Sequence, residues 1–157
     1  MQRSPPSPTV SALWCCPMCD LNRAKGLLTE HTCVLCRGEQ IFASRQAGIS
    51  PMLDWLSEKA DLHGFAAADK IVGKAAALLF VLAGVSAVYG EVMSEAGLSV
   101  LEGHHIPCSY GTLVPYIINR KGTGMCPMEE TVQTVSDPAT AFEKLLKKRE
   151  ELKNAAR

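Results

Sequence analysis

The sequence predicts an α/β fold in which a mixed β-sheet is covered by helices on both sides. Its central stretch, Ala66 to Gly97, contains a helical run that is apolar almost all round, then Gly84, then a strand-like run. A helix that is apolar on every face must be buried. A buried helix that leads into a buried strand is half of an α/β layer, and the two strand-like runs upstream suit a mixed sheet.

The central helix is predicted to begin near Asp69 and to end before Gly84. Its apolar residues fill two opposite faces of a helical wheel: Ile71, Ala75, Leu78, Leu79 and Leu82 on one, and Gly73, Ala76, Ala77 and Phe80 on the other. Gly84 stands where a left-handed cap residue ends a helix. Val85 to Met93 is rich in Val and Tyr and has the length of a strand.

Helix-capping residues and a tight turn predict the helices and strands before the central stretch. Asp20 is predicted to be the N-cap of a short helix. Two strand-like runs, Thr32–Arg37 and Gln40–Ala43, are separated by two residues, which is a hairpin pattern. Ser50, followed by proline, is predicted to cap a further short helix.

The elements after it are shorter. A helix is predicted from Glu95 to Glu102, ended by glycine, and a strand from His105 to Ser109. Pro115 excludes an unbroken central strand over Thr112–Ile118. Another short helix opens at Cys126, and Asp137 is predicted to cap the last helix.

Composition limits the partners and the compartment. The chain has 157 residues, one domain's length, with 16 Lys plus Arg against 16 Asp plus Glu. This balance gives no general attraction to nucleic acid or to a membrane surface. The longest apolar run is shorter than the roughly 20 residues that a membrane span needs. Without a secretory signal, the 7 cysteines are expected to be mostly free thiols in the cytoplasm.

Two Cys-x-x-Cys pairs, Cys16 with Cys19 and Cys33 with Cys36, leave a zinc-binding or redox protein open as an alternative. Cys33 and Cys36 fall in a predicted strand, where an odd offset places side chains on opposite faces. We therefore predict no metal site and no cofactor, and we interpret these cysteines as buried thiols.

The last helix carries a basic cluster, Lys147, Lys148 and Arg149. These residues fall mainly on the side opposite the stripe that contains Leu145. We interpret the cluster as a solvated face.

Lys70 and Lys74, four residues apart, would share one stripe on the first turns of the predicted central helix. Cations are unfavourable there, yet the free N–H groups of a helix N-terminus bind anions well. With Gly73 allowing close approach, this pattern predicts an anion pocket. The alternative is that both side chains extend to water from a mostly buried helix.

Three segments resemble a mostly prokaryotic family of small proteins, a domain of unknown function with a cytidine-deaminase-like fold. They are GFAAADKIVGKAAALL (Gly64–Leu79), MSEAG (Met93–Gly97) and YGTLVPYIINRKGTGMCPME (Tyr110–Glu129). The resemblance implies a three-layer α/β/α sandwich of the deaminase type. Residues 1–17, rich in Pro and Ser, are predicted to form a flexible tail, and the resemblance implies that residues 18–157 form a single domain. We hypothesise that translation starts at Met18 and that this tail is a mispredicted extension.

In zinc deaminases the metal ligands lie at the N-termini of two helices that each follow a strand. The resemblance places Asp69, Lys70, Ser94 and Glu95 at those positions, where histidine and cysteine would be needed. Zinc-dependent deamination therefore lacks its ligands. A fold alone implies no reaction.

The leading hypothesis is a soluble protein that binds a small anionic or nucleotide-like ligand and that could be an enzyme. The predicted ligand-binding residues are Asp69, Lys70, Gly73, Lys74, Ser94, Tyr110, Asn119 and Arg120. Glu95 or Glu129 would serve as a general base and Cys126 as an activated thiol. The remaining alternative is a structural or interaction module without a small ligand. The oligomeric state is left open.

Overall fold

A computed structural model describes residues 17–119 and 121–155. The predicted N-terminal extension lies outside this part of the chain, except for Pro17. The strands are β1 (Cys33–Arg37), β2 (Gln40–Ser44), β3 (Ala66–Val72), β4 (Ala87–Ser94) and β5 (Cys108–Val114). The helices are α1 (Pro17–Leu27), α2 (Ser50–Ser57), α3 (Lys74–Ala83), α4 (Glu95–Gly103), α5 (Pro127–Thr131) and α6 (Pro138–Ala155).

The five strands form one mixed sheet in the order β2-β1-β3-β4-β5. β1 is antiparallel to both of its neighbours, and β3, β4 and β5 are parallel to one another. The connections between the parallel strands run through α3 and α4. The predicted mixed sheet is confirmed.

Helices cover the sheet on both faces, as predicted. Val34 and Cys36 of β1 pack with Ala24 of α1, whereas Cys33 and Leu35 belong to the main core with residues of α2, α3, α4 and α6. Alternate residues of a strand point to opposite faces of its sheet. Cys33 and Cys36 therefore lie on opposite faces, as their odd offset predicts.

The predicted start of the central helix is wrong. Ala66–Val72 is strand β3, which pairs with β1 on one side and β4 on the other, and α3 begins only at Lys74. Alanines favour a helix, and the pairing of this segment with strands on both sides overrides that local preference. Lys70 therefore lies in a strand and shares no helical stripe with Lys74. Ile71, assigned to a buried helical face, is 51% exposed.

Most other boundaries are confirmed within a few residues. Gly84 ends α3 in the left-handed conformation, with φ of 77°. The hairpin, β4 and α4 match their predicted ranges closely. Asp137 caps α6, because its carboxylate accepts a hydrogen bond of 2.9 Å from the N–H of Thr140.

Three predictions need correction. α1 begins at Pro17, so Asp20 is not its N-cap; the buried Asp20 carboxylate instead accepts a hydrogen bond of 3.2 Å from Gly38 N–H in the hairpin turn. Ser50 is the first residue of α2, not its cap. β5 starts later than predicted, at Cys108, and ends immediately before Pro115. Proline cannot donate a hydrogen bond to the ladder and so ends the strand there.

Within residues 17–119 and 121–155, none of the helices is long and apolar enough to cross a bilayer.

Candidate functional site

The N-terminus of α3 holds a carboxylate from the protein itself. The backbone N–H of Lys74 donates to Oε1 of Glu129 at 2.7 Å, and the N–H of Ala75 donates to Oε2 at 2.8 Å. Glu129 belongs to α5 and is buried. The first N–H groups of a helix have no partner within the helix, and a negative charge there interacts favourably with the helix dipole.

Gly73 makes room for this contact. A Cβ at Gly73 would lie 2.5 Å from both Cδ and Oε1 of Glu129, closer than side-chain carbons come to other atoms. The side chain of Lys74 adds a further contact, because its Nζ donates to the carbonyl of Gln133, just after α5, at 2.9 Å. Burial raises the pKa of Glu129, and the N–H groups of Ala75 and Lys74 partly oppose this increase.

The structure thus brings together three residues of the predicted site, Gly73, Lys74 and Glu129, and fills the predicted anion pocket. Both oxygens of the Glu129 carboxylate are occupied by hydrogen bonds. In this arrangement the N–H groups of Lys74 and Ala75 at the start of α3 are bound by a side chain of the protein itself. Glu129 was predicted as a catalytic residue; its partners lie 54 and 55 residues away in the chain.

Asp69 is buried in β3 beside Cys33. Its carboxylate accepts a hydrogen bond of 3.2 Å from the N–H of Ile71, two residues further on. Burial raises the pKa of Asp69 to about 7, although the Ile71 N–H and the Cys33 thiol lower it in part. The same burial, together with the charge of Asp69, raises the pKa of Cys33. Asp69 is therefore buried in the sheet, with its carboxylate bound to the backbone of β3.

Ser94 and Glu95 occupy the start of α4, as predicted. The Ser94 hydroxyl is buried and accepts a hydrogen bond of 3.0 Å from the N–H of Gly97, which makes it the N-cap. A Cβ at Gly97 would lie 2.9 Å from the carbonyl oxygen of Val72, so the first turn of α4 packs directly on the β3–α3 connection. Glu95 is exposed.

The other predicted site residues do not converge on this point. Lys70 in β3 and Tyr110 in β5 are exposed. Asn119 is engaged within its own loop, because its side chain accepts a hydrogen bond of 3.0 Å from Thr123 N–H and donates one of 3.1 Å to the Thr123 hydroxyl. Cys126 is half-buried and immediately precedes α5. Arg120 lies outside the described residues.

These residues do not fit the zinc ion of the deaminases. Lys74 begins α3, Ser94 and Glu95 begin α4, and the α3 N-terminus is filled by Glu129. Cys33 and Cys36 point into separate cores and cannot bind one ion together. No cluster of three or more His, Cys, Asp or Glu side chains is present in the described part of the chain.

A groove that the sequence pattern does not predict lies where the parallel strands end. Its volume is about 390 Å³, and we call it the strand-end groove. It is lined by Ile71 of β3, Val92 of β4, Val114 of β5 and the four residues that follow β5, Pro115, Tyr116, Ile117 and Ile118. The sequence contains a signal, the apolar run LVPYII, but its pattern predicts a helix at Ile71 and so does not place Ile71 beside this run.

One wall of the groove belongs to a short irregular hairpin, formed by residues 117–119 and 124–126, which we call the groove hairpin. The N–H of Cys126 donates to the carbonyl of Ile117 at 2.9 Å, and the N–H of Asn119 donates to Gly124 at 2.8 Å. Ile118 and Met125 form an antiparallel bridge. Glu129 follows the groove hairpin by three residues, so its bonds to α3 hold this wall against the rest of the domain.

Comparisons with known proteins agree with this architecture. The sequence profile of the family described as TM1506, domain of unknown function (DUF1893), matches residues 24–148. The crystal structure of a DUF1893 family protein (TM1506) from Thermotoga maritima is 26% identical and superposes with a TM-score of 0.76, covering 82% of this chain and 89% of that one. No curated protein is significantly similar to the chain. The family match spans well over half of the sequence, and the chain therefore belongs to the DUF1893 family.

Proposed function

We propose that this protein binds a small molecule in the strand-end groove. The observation that carries the proposal is the position of the groove at the carboxyl ends of β3, β4 and β5. In open α/β sheets, ligands bind in crevices outside the carboxyl ends of parallel strands. A volume of about 390 Å³ falls within the usual range of small-molecule sites.

The lining indicates the class of ligand. Ile71, Tyr116 and Ile118 are each about half exposed, at 51%, 48% and 56%. Exposed apolar residues that cluster in a concavity mark a binding surface, because covering them releases water. Tyr116 offers an aromatic face and a hydroxyl. This lining suits a planar, largely apolar ring such as the base of a nucleoside or nucleotide.

We expect an anionic group on the ligand to extend out of the groove, since its lining residues carry no charge. Lys70 precedes Ile71 in β3 and is exposed, so it is the cation that we expect to contact a phosphate. This retains the hypothesis of a small anionic or nucleotide-like ligand and moves its site away from the α3 N-terminus.

We also propose that the scaffold is related to that of the cytidine deaminases. The support is that β3 and β4 are parallel and that each is followed by a helix, α3 and α4, whose N-termini lie against each other through Gly97 and Gly73. The proposal concerns the scaffold only, because the residues at these N-termini do not suit zinc.

A screen of nucleosides and nucleotides by thermal shift and by isothermal titration calorimetry tests the binding proposal. A saturating ligand should stabilise the protein by a few kcal/mol. Ile118→Ser should weaken binding at least tenfold. Ile41→Ser is the matched control, because Ile41 in β2 is 49% exposed and lies outside the groove. Lys70→Gln should weaken the binding of nucleotides but not of nucleosides.

Two results would contradict the proposal: no compound stabilises the wild-type protein, or Ile118→Ser binds as tightly as Ile41→Ser. The second would place the ligand elsewhere on the molecule.

A second candidate function is pairing with another copy through β5. This edge strand has no charged residue, is bounded by Pro107 and Pro115, and exposes Tyr110 and Leu113. Exposed edge strands without charge pair readily with other strands. Light scattering over a range of concentrations tests this function. Thr112→Lys should abolish any dimer, whereas a wild-type protein that is monomeric throughout would exclude it.

A further inference from the structure

A second concavity lies between α5 and α6. It has a volume of about 290 Å³ and is lined by Thr131, Lys144, Lys147, Lys148 and Glu151. We call it the basic cleft. Lys144, Lys147 and Lys148 are three and four residues apart, so they lie on one face of α6.

Two cations near the basic cleft have partners. Arg149 donates to the carboxylate of Asp54 at 2.8 Å, and Lys74 donates to the carbonyl of Gln133 at 2.9 Å. Arg149, predicted to belong to a solvated basic cluster, is thus part of the contact between α6 and α2.

The three lysines of the cleft differ from these. Within residues 17–119 and 121–155, none of their ammonium groups forms an ion pair or a hydrogen bond. Like charges at this spacing repel each other, which destabilises a helix slightly. Glu151 supplies one negative charge, so the lining carries three positive charges and one negative, a net charge of +2.

We infer that the basic cleft binds a phosphate-bearing small molecule. A phosphate monoester carries about −1.5 to −2 charges near neutral pH, which matches the net charge of the lining. Ammonium groups on flexible stems converge well on such a group as point charges. The Thr131 hydroxyl donates to the carbonyl of Pro127 at 2.8 Å, so recognition rests on the lysines and not on this hydroxyl.

The volume is larger than a single phosphate needs and lies at the lower limit of small-molecule sites. The inferred ligand is therefore a phosphorylated metabolite of modest size, or a diphosphate. The basic cleft shares no residue with the strand-end groove, so the two sites can be tested separately.

Titration of the full chain with inorganic phosphate and with inorganic pyrophosphate tests the inference, by calorimetry and by NMR at low ionic strength. The variant Lys144→Gln/Lys147→Gln/Lys148→Gln should bind at least tenfold more weakly than wild type. The matched control is Lys59→Gln/Lys121→Gln/Lys153→Gln, which removes the same charge from exposed positions outside the cleft. This control variant should bind phosphate and pyrophosphate within about twofold of the wild-type affinity, apart from the long-range effect of its lower net charge.

Glu151→Gln should tighten binding severalfold, because it removes the only negative charge of the lining. The inference is overturned if wild type shows no saturable binding, if both triple variants lose affinity equally, or if Glu151→Gln weakens binding. Equal losses would mean that phosphate responds to the overall charge of the protein and not to a site. None of these readouts depends on a ligand in the strand-end groove.

Discussion

The carboxylate of Glu129 occupies the space that a side chain on Gly73 would need. A Cβ on Gly73 would lie 2.5 Å from the Cδ and Oε1 atoms of Glu129, and the same carboxylate accepts hydrogen bonds from the two N–H groups that follow Gly73. The β3–α3 connection and α5 are therefore complementary. Because α5 follows the groove hairpin, this contact also positions one wall of the strand-end groove.

Gly73→Ala should destabilise the protein by roughly 3 kcal/mol. The added methyl group would displace the Glu129 carboxylate and weaken two charge-assisted hydrogen bonds. Urea denaturation measures the change in the free energy of unfolding. Gly26→Ala is the control, because Gly26 lies in α1 with no heavy atom within 4 Å of the added Cβ. Alanine there should be neutral or stabilise by up to about 1 kcal/mol, and equal losses in the two variants would contradict the prediction.

Glu129→Ala should cost about 3 kcal/mol, because it leaves two helix N–H groups without an acceptor in a buried place. Glu129→Gln keeps one acceptor oxygen and should cost less, roughly 1–2 kcal/mol. The neighbouring Glu130 is exposed, and Glu130→Gln should change stability by less than about 0.5 kcal/mol. Hydrogen exchange should show that Glu129→Ala loosens the groove hairpin. A Glu129→Ala variant as stable as Glu130→Gln would refute the role of this carboxylate.

The ionisation of Asp69 should make stability depend on pH. Its pKa is raised from 3.8 to about 7 in the folded protein, so between these values the unfolded chain binds fewer protons than the native state. The free energy of unfolding should therefore decrease as pH rises. The contribution of Asp69 is fully present below about pH 3.8 and is lost once pH has risen through about 7. The loss is on the order of 4 kcal/mol.

The side chain of the Asp69→Asn variant stays neutral, so a comparison of this variant with wild type isolates the contribution of Asp69 ionisation to the free energy of unfolding. The free energy of unfolding of the variant minus that of wild type should increase as pH rises from 3.8 to about 7, between the ordinary and the raised pKa of Asp69, and should level off above that. Carbon-13 NMR of the Asp69 carboxyl group gives a second, direct measurement of the pKa. A difference that does not change with pH, or a measured pKa near the ordinary value, would contradict the prediction.

The buried cysteines should be unreactive and should not pair. Cys33 and Cys36 are buried in different cores, and burial raises the pKa of both thiols. Side chains that point apart cannot form a disulfide without backbone movement, and thiols with raised pKa values react slowly. Alkylation of the native protein followed by peptide mass spectrometry should modify the exposed Cys19 and spare Cys33 and Cys36 until urea is added. A Cys33–Cys36 disulfide under mild oxidation would instead favour the redox alternative.

Local sequence signals predicted much of the fold. Gly84, the hairpin turn and the Asp137 cap each act within a few residues, and the structure has all three where they were predicted. The strand β4 and the helix α4 follow from patterns of the same short range. Family membership was also visible in the sequence, and the profile match confirms the resemblance at the level of a domain of unknown function.

The candidate site was less predictable. The sequence predicts a site that includes Gly73, Lys74 and Glu129, and the structure brings these three residues together: the carboxylate at the N-terminus of α3 is that of Glu129. The sequence does not predict the strand-end groove, because the groove joins the ends of three strands and the sequence pattern predicts a helix at one of its residues, Ile71. Lys144 of the basic cleft was not singled out, because only the packing of α5 on α6 makes that surface concave.

The sequence by itself determined the α/β class, the buried α3 with its glycine end, and the turns between elements, because these depend on side chains within one or two turns of each other. The tertiary structure decided that Ala66–Val72 is a strand, since both of its pairing partners lie far away in the chain. It also decided that Glu129 fills the N-terminus of α3. Contacts between residues 54 and 55 positions apart leave no periodic trace in the sequence, and packing alone selects them.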